Sequence, residues 1–565
     1  MALGLTDLPL EVLRRILILR LDIDLPSPTQ RQHLIDDSYA SAVQNWRDIK
    51  ILPMLCTPSG SCASDRGARS GQTRGCHRLD TGPLRSALDL GAVCRHLREV
   101  VLGDALFWSE ALLLNPQLVR VALSRAKVAA HPRLSFVAHG GACLCILDII
   151  LREMVNVRRL DLALPSTNTE STRSPSALIA DRLLLGAPLL EEIEVRCDYA
   201  YVHEDSLQKR RINVKNVSVS RLINCAFGIE SKNMTRMFFA AEAPPFRWPR
   251  GEFYKMLAVC VNLEVLSLQM IFVYERGLPP NTIYPPGDTF ELPSLRFFHI
   301  ADHMVEWDVA SRKIIFPATC RVHPDVTAPM QDLYTPDMLA TTVGRVFPRH
   351  PVLAAGETHC VTFALRVRDT TRTQATHFPE YLSLSRGRTE ADAMAFRDPI
   401  SLASAGTITL RNERLSMRTT ITPQPDFGEP DVGQLVAGFV RGCVWFGLSY
   451  AEMFVLDGAY PHLATISWRD VLPYLPNVQT IVIRGLTTFS APEIVDLAYE
   501  LGVPQGQGGD GLESDVARYR CERLRRVRLP DARDIVPEAT IANLRFALFT
   551  RRATRMDLDN IYWSM

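Results

Sequence analysis

One pattern recurs along the chain and limits what it can fold into. It is a run of the form LxxLxL, with large apolar residues at the first, fourth and sixth places. Val157-Leu160-Leu162 is followed by Leu190-Ile193-Val195, Val214-Val217-Val219 and Met234-Met237-Phe239. Leu263-Leu266-Leu268 and Leu295-Phe298-Ile300 come next, and Val478-Ile481-Ile483 and Leu524-Val527-Leu529 fall late. Weaker matches are Cys360-Phe363-Leu365, Ile408-Leu410, Met453-Val455 and Met556-Leu558, and Leu134 with Phe136 marks an earlier strand. Side chains alternate along a strand, so the last two apolar residues share one face and the residue between them takes the other. A single such run is common in any buried strand, but a series of them is repetition. The first middle anchors (Leu160, Ile193, Val217, Met237, Leu266, Phe298) lie between 20 and 33 residues apart. That is room for one strand and one helix per unit. Helix-like runs precede several strands: Ile146 to Val155, Ala177 to Leu185, Phe253 to Val261 and Pro492 to Leu501.

A chain of 565 residues is too long for one ordinary core. Several domains or one extended array are expected. With 47% hydrophobic and 22% charged residues it should fold rather than stay disordered. A net charge of +1 offers nucleic acid and anionic membranes no bulk attraction, so neither is expected as a partner. Local basic clusters (Lys209-Arg210-Arg211; Arg523, Arg525, Arg526, Arg528; Arg551-Arg552) read as solvated faces. Asp7, Glu11, Arg14 and Arg15 interrupt the first apolar stretch, which argues against a secretory signal, and no window is long enough for a transmembrane helix. Thirteen scattered cysteines suit a reducing compartment. The expected location is cytoplasmic, nuclear or both.

The N-terminus opens with a helix signal from Asp7 to Leu17. Asp7 can cap it, Pro9 suits the first turn, and Glu11 complements the positive helix end. Leu10, Leu13 and Leu17 fall on one face, with Val12 and Ile16 beside them. From about 57 to 86 the chain lacks large apolar side chains and is expected to be a disordered insert. Cys56, Cys62, Cys76 and His77 in or beside it match no compact zinc spacing, so no metal is expected. Apolar periodicity resumes with Leu90, Val93, Leu97 and Val100, and Asp104 is placed to cap a second short helix holding Leu106, Phe107 and Trp108.

Leu8-Pro9-x-Glu11 followed by Val12, Leu13, Ile16 and Leu17 resembles the first helix of an F-box. Val93-Cys94-Arg95-His96-Leu97-Arg98, with Asp104 and Phe107-Trp108, resembles its second half. The insert between them resembles the variable linker of fungal F-box proteins. The LxxLxL series in turn resembles a degenerate leucine-rich-repeat solenoid, although no asparagine follows most strands at the usual ladder position. The expected fold is therefore mixed α/β: a split helical F-box over 1–115, then an irregular leucine-rich-repeat-like array over 116–565, interrupted around 303–450. That interruption is rich in Pro, Thr and Arg, and reads as long excursions or an inserted hairpin.

No GxSxG elbow, HExxH helix or P-loop is present, and the glycine-rich stretch Gly502 to Gly511 reads as a loop between repeats. His203-Glu204-Asp205 and Asp302-His303 read as polar turns, and Cys143 and Cys145 as core. Neither a cofactor nor catalysis is expected. The resemblance implies a substrate-recognition subunit of a Skp–cullin–F-box ubiquitin ligase. A Skp-type adaptor, and through it a cullin, would dock on Leu8, Pro9, Val12, Leu13, Ile16, Val93, Leu97 and Trp108, some of which must serve as internal core. A target protein would meet the residues between the last two apolar positions of each strand: Asp161, Glu194, Ser218, Phe238, Ser267, His299, Val482 and Arg528. Two other readings stay open. One is a repeat-type interaction scaffold with no ubiquitin link, and the other is an enzyme housed in 303–450.

Overall fold

The computed structural model describes Pro9, residues 11–13 and, with interruptions, 95–553; the longer stretches outside the description are 14–94, 138–143, 165–174, 198–208, 274–288, most of 329–359, 368–378, 388–405, 413–431, 458–467, 485–490, 506–517, 530–535 and 554–565. The expected insert at 57–86, the cysteines beside it and the Met556–Leu558 strand all lie outside the described residues.

The protein is mixed α/β, with two compact units: Met1–Ile283 with 288–296 and 314–316, and 284–287 with 297–313 and 317–565. In the first unit, β1 (Leu112–Leu113), β2 (Leu134–Val137), β3 (Val157–Leu164), β4 (Glu192–Cys197), β6 (Val219–Ile223), β8 (Arg236–Ala240) and β9 (Val265–Gln269) stand side by side in that order. All their pairings are parallel. Two shorter strands, β5 (Arg210–Asn213) and β7 (Phe227–Glu230), form a separate parallel pair. A last parallel pair joins β10 (Phe290–Glu291) to β12 (Ile314–Ile315).

Parallel neighbours need a crossover, and its content follows the spacing of the sequence motif. Helix Leu144–Arg152 links β2 to β3, helix Pro175–Leu185 links β3 to β4, and helix Arg250–Leu257 links β8 to β9. The connections on either side of β6 carry β5 and β7, and β8 begins at Arg236, soon after β6 ends at Ile223, which is why the repeat length varies. Helix Pro175–Leu185 begins on a proline, which suits a position whose N–H would be unpaired anyway. It ends at Gly186, whose φ of +116° no side chain adopts cheaply, with its N–H on the Leu183 carbonyl at 3.1 Å.

A tight turn precedes strand after strand. Leu190, Val217, Met234, Leu263 and Leu295 each donate their N–H to the carbonyl three residues earlier, at 3.1–3.4 Å. The carbonyl just ahead of one strand then accepts from the next unit: Glu191 O from Ser218 N, Ser218 O from Thr235 N, Thr235 O from Glu264 N and Glu264 O from Arg296 N, all at 2.8 Å. A side-chain ladder runs beside it. Asn216 donates to Pro188 O at 2.6 Å, Asn233 to Lys215 O at 3.0 Å and Asn262 to Lys232 O at 2.8 Å. Asn233 and Asn262 immediately precede the first apolar residue of their motifs and Asn216 immediately precedes Val217, so the ladder lies ahead of the strands instead of behind them. Replacing Asn262 by Ala should cost about 0.5–1.5 kcal/mol in denaturant unfolding, the usual net value of one hydrogen bond.

The helix-facing side of this sheet is aromatic. Phe239 meets Trp248 edge-on at 5.7 Å and Phe253 at 5.5 Å. Leu160, Leu162, Ile193, Val195, Leu222, Met237, Leu266 and Leu268 are buried at equivalent positions. At the N-terminal end, helix Arg95–Gly103 is followed by helix Ala105–Glu110, whose Phe107 N–H donates to the Asp104 carboxylate at 3.4 Å. Asp104 is thus the expected cap.

The second unit comprises β11 (Phe297–His303), β13 (Arg321–Ala328), β14 (Cys360–Val367), β15 (Pro379–Gly387), β16 (Gly406–Asn412), β17 (Met453–Asp457), β18 (Thr480–Arg484) and β21 (Arg526–Arg528). Their order is β11-β13-β16-β15-β14-β17-β18-β21. β15 runs antiparallel to both β14 and β16, while the other pairings are parallel. A separate antiparallel pair joins β19 (Pro504–Gln505) to β20 (Arg518–Tyr519). The same turn and cross-unit bonds reappear: Val478 N donates to Leu475 O at 3.3 Å, Gln479 N to Glu452 O and Arg525 N to Gln479 O, both at 2.7 Å. In β17 the residues in line with Ile481 and Ile483 are Phe454 and Leu456. The Met453-Val455 match was therefore one residue out, and a one-residue shift reverses the face. Phe454 meets Trp468 at 6.3 Å, and Trp468 N–H donates to Asp496 at 3.0 Å, which joins helices Trp468–Val471 and Ala491–Gly502.

Candidate functional site

With Leu160, Val195, Leu222, Phe239 and Leu268 turned toward the helices, strand alternation gives the opposite face of the first unit's sheet to the residues between them. The register brings Asp161, Glu194, Arg221, Phe238 and Ser267 into one row across five strands. The neighbouring row is Arg159, Glu192, Val219, Arg236 and Val265. Strands in this arrangement stand about 4.8 Å apart, so the charges along a row are forced into pairs.

The pairs are well defined. Arg221 lies 3.3 Å from the Glu194 carboxylate and places its guanidinium 4.7 Å from the centre of the Phe238 ring. Arg159 reaches Asp161 at 3.8 Å and Glu192 at 3.7 Å. Arg159, Asp161, Glu194 and Arg221 are buried, Glu194 at 1% exposed and Arg221 at 5%, and Glu192 is half-buried. Desolvated charges persist only when matched in this way. The row therefore holds acid, base and aromatic side chains, none more than 7% exposed, on a rigid backbone. Among the described residues, no group of three or more His, Cys, Asp or Glu could hold a metal ion.

Of the residues expected to meet a target, Asp161, Glu194, Phe238 and Ser267 stand in this row. Ser218 does not. It lies one residue ahead of β6, half-buried, with its hydroxyl on Glu191 O at 3.3 Å. Arg221 takes the place instead and was missed from the sequence. The core residues of that unit are Val217, Ser220 and Leu222, and the small polar Ser220 hides the motif. The remaining three lie in the second unit. His299 stands opposite His323, whose ring stacks on Phe297 at 4.8 Å. Val482 is fully buried with Val455, Met453 packs against the pair, and Val482 stands opposite Arg528.

The residues expected to dock an adaptor are only partly described. Leu8, Ile16 and Val93 lie outside the described residues, as does the side chain of Leu97, whose backbone belongs to helix Arg95–Gly103. The structural observation that would join the two F-box halves, contact of Leu13 or Ile16 with Leu97, therefore falls there too. Pro9 accepts hydrogen bonds from Val12 N at 3.0 Å and Leu13 N at 3.1 Å, so the chain turns helical at the expected place. Pro9 is exposed and Val12 is 41% exposed, while Leu13 is buried. Trp108 is buried as well. It meets Phe107 edge-on at 5.6 Å and lies under the Arg125 guanidinium at 5.0 Å, and Arg125 also donates to Leu102 O at 3.1 Å.

No protein-family model matches the chain, and no curated protein matches it. Among the described residues no helix is long and apolar enough to cross a membrane.

Proposed function

We propose that the protein is a substrate-recognition adaptor of a Skp–cullin–F-box type ubiquitin ligase, with a split F-box at its N-terminus and an irregular leucine-rich-repeat-like solenoid behind it. It acts inside the cell, in the cytoplasm, the nucleus or both, and makes and breaks no bonds itself. The observation that carries the reading is the pairing of two motif halves, Leu8-Pro9-x-Glu11 and Val93 to Trp108, ahead of a series of turn–strand units stacked in parallel. The exposed Pro9 and Val12 are available to a partner helix, and Leu13 and Trp108, both buried, count as internal core on this reading. Burying four or five apolar side chains against a Skp-type adaptor contributes on the order of 6–12 kcal/mol before association costs. On this reading the repeat array carries a target protein, and holding it beside a charged conjugating enzyme gains rate by proximity.

The test is co-purification. The double variant Leu8→Asp, Pro9→Ala should lose the Skp-type adaptor while its circular dichroism stays unchanged. Undiminished adaptor capture by that variant would sink the docking assignment.

A second reading has its own support. Trp108 is locked under Arg125 of the next helix, as an end cap of a repeat array would be. On that reading the chain is an interaction scaffold with no link to ubiquitin. Mass spectrometry of proteins captured with the intact chain separates the two: adaptor and cullin peptides favour the ligase reading, other stable partners without them favour the scaffold, and turnover of a substrate with neither favours an enzyme in 303–450.

A further inference from the structure

The end of β4 and the turn after β6 hold a cluster that the recognition surface does not use. Arg196 stands opposite Ile223, so Cys197 falls beside Asn224 and one residue short of Cys225. Asn224 has a φ of 54°, in the left-handed region. Its amide donates to Cys197 O at 3.1 Å, and its own N–H is bound to Ala240 O at 2.9 Å. This turn directs Cys225 back under β4. Its sulfur lies 3.4 Å from Val195 O and 3.5 Å from Ile223 O, and its thiol is in electrostatic reach of Cys197. With strands about 4.8 Å apart and a rise of about 3.3 Å per residue, a diagonal neighbour one residue on lies roughly 6 Å away, within the about 4.4–6.8 Å that a disulfide bridges between Cα atoms. Lys209 stands just ahead of β5, where Arg210 N–H donates to the carbonyl of Ala226, the residue after Cys225, at 3.1 Å, and its amine is held by the Pro245 carbonyl and the face of Phe246 in electrostatic reach of Cys225.

We propose that Cys197 and Cys225 are a redox pair that closes to a disulfide when a peroxide is supplied, with Lys209 as the base for Cys225. Cys197, 6% exposed, is the thiol a small oxidant meets first, because Cys225 is fully buried. The Cys197 sulfur attacks one peroxide oxygen, the O–O bond breaks, and a sulfenic acid and one water result. Cys225 then gives its proton to Lys209 and attacks the sulfenic sulfur. The S–S bond forms as the S–O bond breaks, and the leaving hydroxide takes a proton from Lys209 and departs as a second water. Two thiols lose two electrons and two protons in all, and the peroxide is reduced to two waters. Burial holds the Cys225 thiol well above its ordinary range, so it needs this base. Burial also brings Lys209 down to about 8, so part of it is neutral near pH 7 and can accept the proton.

The experiment is peptide mapping of the full-length protein after treatment with hydrogen peroxide, with denaturation and alkylation at acidic pH before a non-reducing digest. A linked peptide joining Cys197 to Cys225, split by dithiothreitol, is expected. Recovery of both as free thiols, or either one linked to another cysteine, overturns the pair, and this reading needs no variant to fold. In Lys209→Met the same linked peptide should accumulate about threefold more slowly, since a tenfold loss of thiolate is partly offset by its higher nucleophilicity. An unchanged rate in a variant with unchanged circular dichroism removes Lys209 from the step. Cys197→Ala should yield Cys225 as a thiol under the same treatment, and oxidation of Cys225 in that variant would overturn the order of attack.

Discussion

Replacing Phe253 by alanine is expected to lower the stability of the first unit by about 3–5 kcal/mol, as large-to-small changes of a core aromatic residue do. Phe253 has no exposed surface. Its ring meets Phe239 and Phe272 edge-on at 5.5 Å each, Trp248 at 6.1 Å and Tyr254 at 6.4 Å. It therefore joins three parts of the fold: strand β8, its own helix, and the segment after β9, where Trp248 N–H is bonded to Ile271 O at 2.6 Å. Truncation leaves a cavity lined by rigid rings that cannot collapse into it, which puts the cost at the upper end for an apolar deletion. Urea unfolding of the full chain, followed by tryptophan fluorescence, should show the earlier transition moving to lower denaturant. The control is Leu185→Ala, whose side chain is 76% exposed at the end of helix Pro175–Leu185, and which should change stability by no more than about 0.5 kcal/mol. A loss near that of the control would mean that Phe253 does not close the core.

Glu194→Ala should be almost as damaging, for a different reason. Removing the carboxylate leaves the Arg221 guanidinium buried beside it, and breaking a buried pair from one side costs about 3–5 kcal/mol. Removing both charges should not. In Glu194→Met, Arg221→Met the two apolar side chains refill the row against Phe238, and stability should return to within about 1–2 kcal/mol of the parent. The double-mutant cycle in urea measures this coupling. If the double variant is as unstable as the single one, the pair is not what makes Glu194 necessary.

Much of this arrangement was legible in the residues because strand alternation is a hard rule. Asp161, Glu194, Phe238 and Ser267 were placed on one face by counting alone, and the register puts them in one row. The count failed where the apolar signal was interrupted. Ser220 occupies a core place, which moved the reading to Ser218 and hid Arg221. In β17 a nearly continuous apolar run, Met453 to Leu456, left the face undecided, because Val455 is as buried on one side as Phe454 and Leu456 are on the other. The asparagine ladder left a visible trace, Asn216, Asn233 and Asn262 each standing directly before an apolar residue. What could not be read was its partner, a carbonyl 18 to 30 residues earlier.

By itself the sequence determined many of the units: where β3, β4, β8, β9, β11, β18 and β21 occur, where Asp104 caps a helix and where the helical run Ala177 to Leu185 stops. These depend on local sterics and on side-chain period, and both are written within a few residues. The tertiary structure alone decided which strands are neighbours, that β15 enters antiparallel between β14 and β16, and that β5 and β7, which precede and follow β6 in sequence, pair with each other. It also decided that Arg221 meets Glu194 and Phe238, and that Cys225 turns back toward Cys197. Those outcomes depend on register between distant segments, which cross-strand hydrogen bonding and the burial of one face set once the chain has packed.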